Sequence, residues 1–163
     1  MTAPDPSAIA PLCAFAVGEQ EYVIDVMRIR SIVRPLPVTV VPHAPPFVEG
    51  MIELRGAVVP VVDLRKRLGA PAVPPGPKAR MLVVLVGGRE VALLVDRVLE
   101  VMRIPRSAVR AAPPLLGGNG PKFYLGVCDA TVRGETKLRL LLNLRALLES
   151  VDAVPRALVG GMP

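Results

Sequence analysis

The chain has 163 residues, a formal net charge of +6 and hydrophobic residues at 52%, which bounds it to one domain or two very small ones sharing a core. No apolar run approaches the roughly 18 residues of a membrane helix, and the start at Met1-Thr2-Ala3-Pro4 lacks the basic and apolar regions of a secretory signal, so a cytoplasmic globular protein is expected. The basic balance raises nucleic acid as a partner, but the arginines are scattered and aromatic residues for base stacking make up only 3%.

Residues 1–10 read as a disordered N-terminal tail. Leu12–Val17 is an apolar run that meets a turn at Gly18-Glu19-Gln20, which opens a β-hairpin. An apolar strand then leads through the proline loop Val41-Pro42-His43-Ala44-Pro45-Pro46. Val61–Leu68 reads as a buried strand running into a helical turn, with Asp63 placed to cap it and Gly69 placed to close it. Residues 70–77 hold four prolines and read as a linker. Met81–Val86 and the turn Gly87-Gly88-Arg89 open a second hairpin. A long connection follows at residues 111–121, and Leu141–Leu148 ends the chain's folded part with Asn143 as the second cap. Residues 151–163 read as a flexible C-terminal tail.

These elements form two copies of one pattern. Val23–Arg34 lines up without gaps on Ala92–Arg103, setting Ile24, Val26, Ile29 and Ile32 against Leu93, Val95, Val98 and Val101; Val61–Leu68 lines up on Leu141–Leu148. Val-rich runs cut by nineteen prolines and fourteen glycines favour short strands over helices. The expected fold is all-β: two small five-stranded β-barrel subdomains with a short C-terminal helix, over residues 11–150. Subdomain one is expected over about 11–69 and subdomain two over about 78–150. Closing each sheet removes the edges that such strands would otherwise expose.

The inventory for catalysis is thin. The chain has no phosphate loop, dinucleotide fingerprint, zinc-helix motif or nucleophile elbow. Asp25 and Asp63 each follow an apolar strand residue, where capping a turn is the expected role. His43 is the single histidine and sits in the proline loop, facing solvent. Cys13 and Cys128 stand among apolar neighbours and act as small hydrophobes. No enzyme activity, cofactor or metal is expected, which leaves protein docking as the default role; a basic nucleic-acid-binding β-barrel protein is the remote alternative.

One ordered series is more specific than composition. It runs from Tyr22 through Pro45-Pro46-Phe47-Val48-Glu49-Gly50 and Leu54-Arg55-Gly56 to Val58-Val59-Pro60-Val61-Val62-Asp63-Leu64-Arg65. It resembles the CheW family of chemotaxis coupling proteins, and the likeness continues through Gly87–Met102 and Leu141–Leu148. The resemblance implies two intertwined barrels and a non-catalytic adaptor in bacterial signal transduction, alongside a two-component system. Its implied partners are a chemoreceptor cytoplasmic tip and the regulatory domain of a CheA-type histidine kinase, with the membrane reached only through receptor arrays. A related motility pathway such as twitching is the alternative setting, because Glu53 and Ser31 stand where the family often has Asn and Glu.

By the same resemblance the receptor-binding positions are Ile29, Gly50, Arg55, Val98 and Val101, and a kinase-binding patch is expected at Val38, Val40 and Val41. The residues themselves leave alternatives open. Ile29, Val98 and Val101 read first as ordinary core. Arg55 stands in a run that reads as buried strand, so it needs either an internal partner such as Glu53, Asp63 or a carbonyl, or a contact on the bound protein. Gly50 and Gly56 read as serving backbone geometry.

Overall fold

The structure, a computed structural model, describes residues 8–112 and 123–149. Ten strands run in chain order: β1 (Ile9–Val17), β2 (Gln20–Asp25), β3 (Ile29–Val33), β4 (Val48–Leu54), β5 (Ala57–Asp63), β6 (Arg80–Val86), β7 (Arg89–Val95), β8 (Arg97–Pro105), β9 (Tyr124–Val132) and β10 (Glu135–Leu142). Single helical turns follow β5 and β10: α1 (Leu64–Arg67) and α2 (Leu144–Leu147). Both expected hairpins form, with Val17 paired to Gln20 and Val86 to Arg89. Most of the expected N-terminal tail, all of 151–163 and most of the long connection lie outside the described residues. Ile9 and Ala10, however, already belong to β1.

The strands assemble into two five-stranded sheets, ordered β8-β1-β2-β10-β9 and β3-β6-β7-β5-β4. Each sheet takes strands from both sides of residues 70–77, so the expected division into subdomains at that segment is not where the sheets divide. The chain crosses between sheets at Val26–Arg28, a 3-10 turn capped by Asp25, and at Asp96. Residues 70–77 join β5 to β6 within one sheet. Parallel pairing of β2 with β10 and of β5 with β7 ties the copies together.

Each barrel is closed by one isolated bridge beyond its edge strand. Thr39 exchanges two hydrogen bonds of 2.8 Å with Met51, and Arg110 does the same with Val127. A glycine precedes the bridged strand residue in both. A Cβ on Gly50 would lie 2.0 Å from the Thr39 carbonyl oxygen, and one on Gly126 2.6 Å from that of Arg110. Closure therefore requires bare backbone at these two positions.

Strand alternation distributes the apolar residues over three cores. Ile52, Val59, Val61, Met81, Val83 and Ala92 fill one barrel. Ala10, Leu12, Ala14, Val23 and Cys128 fill the other. The opposite faces, including Phe15, Ile24, Leu82 and Leu93, meet in a larger central core between the sheets. Arg139 stands where the first barrel has Val59; the smaller Cys128 and Ala14 replace Ile52 and Val83, and the space admits the arginine, which is 1% exposed. Its guanidinium donates to Glu21 at 2.7 Å and Glu100 at 2.8 Å, so the buried charge is paired.

Two further arginines staple the halves. Arg65 pairs with Asp96 through two bonds of 2.9 and 2.6 Å, while the same carboxylate accepts from the Gly18 amide at 2.7 Å. Arg67 lies between the rings of Phe47 and Phe123, 4.3 and 4.7 Å from their centroids.

Candidate functional site

Arg55 is not in a strand. Leu54 pairs directly with Ala57, so Arg55 and Gly56 are the two central residues of the β4–β5 hairpin. Their φ angles are +52° and +80°. Positive φ at both centres defines the type I′ turn, whose twist suits a tight hairpin. Glycine accepts that geometry freely; a left-handed arginine costs about 1–2 kcal/mol. The expectation of an arginine in a buried strand is therefore corrected, and of its two expected partners the internal one, Glu53 or Asp63, is not engaged. Arg55 is exposed and makes no ion pair among the described residues. Asp63 instead accepts from the Arg65 amide at 3.0 Å and caps α1.

The guanidinium stands over a cleft of about 380 Å³ lined by Ile29, Arg30, Ser31, Leu54, Ala57 and Glu90. β3 supplies one wall and the hairpin the other. Ile29 is half-buried and rests on the central core, so its outer surface remains available. Arg30 is only loosely paired with Glu90, at 3.9 Å. The cleft thus combines an apolar wall, a small polar Ser31 and an unengaged guanidinium, which suits a protein segment carrying a carboxylate or a chain-end carbonyl.

The other expected positions divide. Val98 is half-buried, packs on the same central core from β8, and lines a separate cleft with Lys78, Arg80, Arg97 and Leu99. Val101 is 58% exposed, and its repeat partner Ile32 is 46% exposed; Ile32 was not among the expected positions, though the repeat pairs it with one that was. Gly50 is buried against Thr39 and serves barrel closure. In the expected kinase patch, Val38 and Val40 are exposed but Val41 is a central-core residue at 6%. Val41 is therefore removed from that surface: it packs into the central core at a turn where its carbonyl accepts from the Ala44 amide at 3.4 Å. A larger cavity of about 560 Å³, rimmed by Arg28, Arg106 and Arg145, contains none of the expected positions.

With this geometry in hand, comparison with known proteins is decisive. The CheW-like domain model matches residues 11–152. The chain belongs to the CheW-like family. It is 39% identical over 116 residues to the chemotaxis protein CheW of Rhizobium meliloti, covering 71% of this chain and 75% of that one. Against CheW of Bacillus subtilis it is 35% identical over 148 residues, covering 88% and 92%. FrzA of Myxococcus xanthus is 31% identical over 136 residues, with 83% of each chain covered. The crystal structure of the scaffolding protein TtCheW from Thermoanaerobacter tengcongensis superposes with a TM-score of 0.77 at 29% identity, covering 86% of this chain and 92% of that one. CheW-like membership agrees with the two sheets and with the all-β fold read from the sequence.

Proposed function

We propose that this chain is a non-catalytic adaptor of a chemotaxis-type signalling pathway. It couples the helical cytoplasmic tip of chemoreceptors to the regulatory domain of a CheA-type histidine kinase, and is held at the membrane through those receptors. Support comes from the relatives named as chemotaxis protein CheW and from the structural relative described as a scaffolding protein. No helix among the described residues is long and apolar enough to cross a membrane, in keeping with recruitment by a partner.

The observation that carries the receptor reading is Arg55: an exposed guanidinium held on a strained turn beside the half-buried Ile29. A strained side chain kept at a surface turn points to a contact made there. In the proposed complex Ile29 supplies an apolar anchor and Arg55 a charge-assisted hydrogen bond to the receptor tip. Val98 and Val101 extend the apolar contact along β8. Val38 and Val40 form the proposed kinase-facing patch.

The test is receptor-dependent kinase activation in a reconstituted mixture. Arg55→Glu is expected to abolish activation while circular dichroism and the melting temperature stay native. Full activation by that variant removes Arg55 from the receptor contact. The likeness to FrzA favours a second setting for the same role, a related motility pathway. Deleting the gene and scoring swimming against surface motility separates the two.

A further inference from the structure

The Arg55 turn has a counterpart in the second copy. Val132 pairs with Glu135, leaving Arg133 and Gly134 at the centre of the β9–β10 hairpin with φ of +52° and +79°. Type I′ turns favour Asn, Asp or Gly at the first central position. Here the same disfavoured residue occupies it in both copies, exposed in each and without an ion pair among the described residues.

The surroundings correspond in part: Val98, the repeat counterpart of Ile29, lines a separate cleft, while four other positions match in place. Beside Arg133 lies a cleft of about 470 Å³ walled by Leu99 and Glu100 of β8, Val132, and Glu21 at its base. By the sequence repeat these replace Arg30 and Ser31 of β3, Leu54, and Glu90 in the cleft beside Arg55. Each cleft therefore has an apolar wall and a free guanidinium at its mouth. The charges differ. Glu21 and the half-exposed Glu100 pair with Arg139, Lys137 lies 3.5 Å from Glu21, and Glu135 also lines the cleft. Arg97 and Arg133 are left exposed with no acidic partner among the described residues.

We infer that Arg133 marks a second docking point, on the barrel opposite to that of Arg55, for another copy of the same kind of partner: a helical tip presenting carboxylates. Leu99 and Val132 supply its apolar contact, and Arg97 and Arg133 pair with its acids. The inference rests on the proposed role of Arg55, of which it is the repeat image. One adaptor then holds two receptor tips rather than one.

The experiment titrates the full-length, isotope-labelled chain with a soluble receptor-tip fragment, followed by amide chemical shifts up to about 1 mM fragment. Two separate sets of shifts are expected, one over residues 29–31, 54–57, 98 and 101, the other over 131–137. Arg133→Asn keeps the turn and relieves its strain, so it is expected to raise the melting temperature. It should also weaken the second site at least tenfold and leave the first unchanged. Arg55→Asn should do the reverse. Absence of shifts at 131–137, or an unchanged second site in Arg133→Asn, overturns the inference while leaving the Arg55 reading intact. Loss of nothing in Arg55→Asn overturns that reading instead.

Discussion

The Nε of Arg67 in α1 donates to the carbonyl of Leu147 in α2 at 2.8 Å, and these two residues are each other's counterparts in the repeat. The same guanidinium lies between Phe47 and Phe123, the aromatic residues that immediately precede the corresponding strands β4 and β9. One side chain thus joins the two copies at their shared centre.

Replacing Arg67 should therefore loosen the sheets from each other. A half-buried cation–π contact and a hydrogen bond together account for about 2 kcal/mol. Arg67→Ala is expected to lower the unfolding free energy by that amount, seen as a lower urea midpoint with an unchanged slope. Arg67→Lys recovers little, because an ammonium cannot stack flat between two rings.

Arg139 tests the buried charges. Arg139→Ala strands Glu21 inside the barrel and should cost about 3–5 kcal/mol. The double variant Arg139→Met, Glu21→Leu should recover most of that loss, because an apolar pair of similar volume replaces the ion pair. A double variant as unstable as the single one contradicts the assignment.

The pH dependence has two opposed parts. Burial alone would raise the Glu21 pKa, but the hydrogen bond and charge of Arg139, aided by Lys137, outweigh it and hold the carboxyl below its usual range. A depressed carboxylate stabilises the fold above its unfolded pKa of about 4.3 and loses that contribution as pH falls through the lower folded value. Asp63 behaves oppositely: burial pushes its pKa up, with the nearby Glu49 adding to the effect and the Arg65 amide opposing it. Its charge costs stability once pH rises through the raised value. Asp63→Asn copies Asn143, whose side chain caps α2 from the equivalent position. The variant should raise the urea midpoint at pH 7 and leave it unchanged at pH 3.

Gly50→Ala should open its barrel. The added methyl meets backbone at 2.0 Å and φ is +148°, so nothing flexible can yield. A loss of about 3 kcal/mol or more is expected, with faster amide exchange at Thr39 and Met51. Gly126→Ala, clashing at 2.6 Å, should cost less.

Neighbouring valines offer an internal control. Val41→Ala removes core contacts and should cost about 1–3 kcal/mol. Val40→Ala, at a 76% exposed position, should leave stability unchanged and weaken kinase-domain binding in a pull-down titration.

What was legible in the sequence was local. Gly18 and Gly87-Gly88 announced their hairpins, and Asp63, Asn143 and Gly69 announced the helical turns, because each acts within a few residues of itself. Arg55 was misread because an arginine flanked by apolar residues resembles a strand interior; its pairing with Gly56, repeated at Arg133-Gly134, was the available signal. Val38, Val40 and Val41 look alike in sequence. Only tertiary packing separates them, with Val41 taken into the central core and the other two left exposed. Sheet membership was illegible for the same reason: the pairing of β2 with β10 joins Tyr22 to Leu140, far beyond any local pattern.

That exchange of strands has a consequence for synthesis. When the first seventy residues have left the ribosome, β1 and β2 have neither β8 nor β10 beside them, and β5 lacks β7. The β3-β6-β7-β5-β4 barrel cannot close until β7 has emerged at Val95, nor the other until β10 has at Leu142, so the nascent half carries open, valine-rich edges. Folding of that second barrel should be slow and post-translational. A chain cut within residues 70–77 should yield two fragments that are each unfolded alone and regain structure only when mixed.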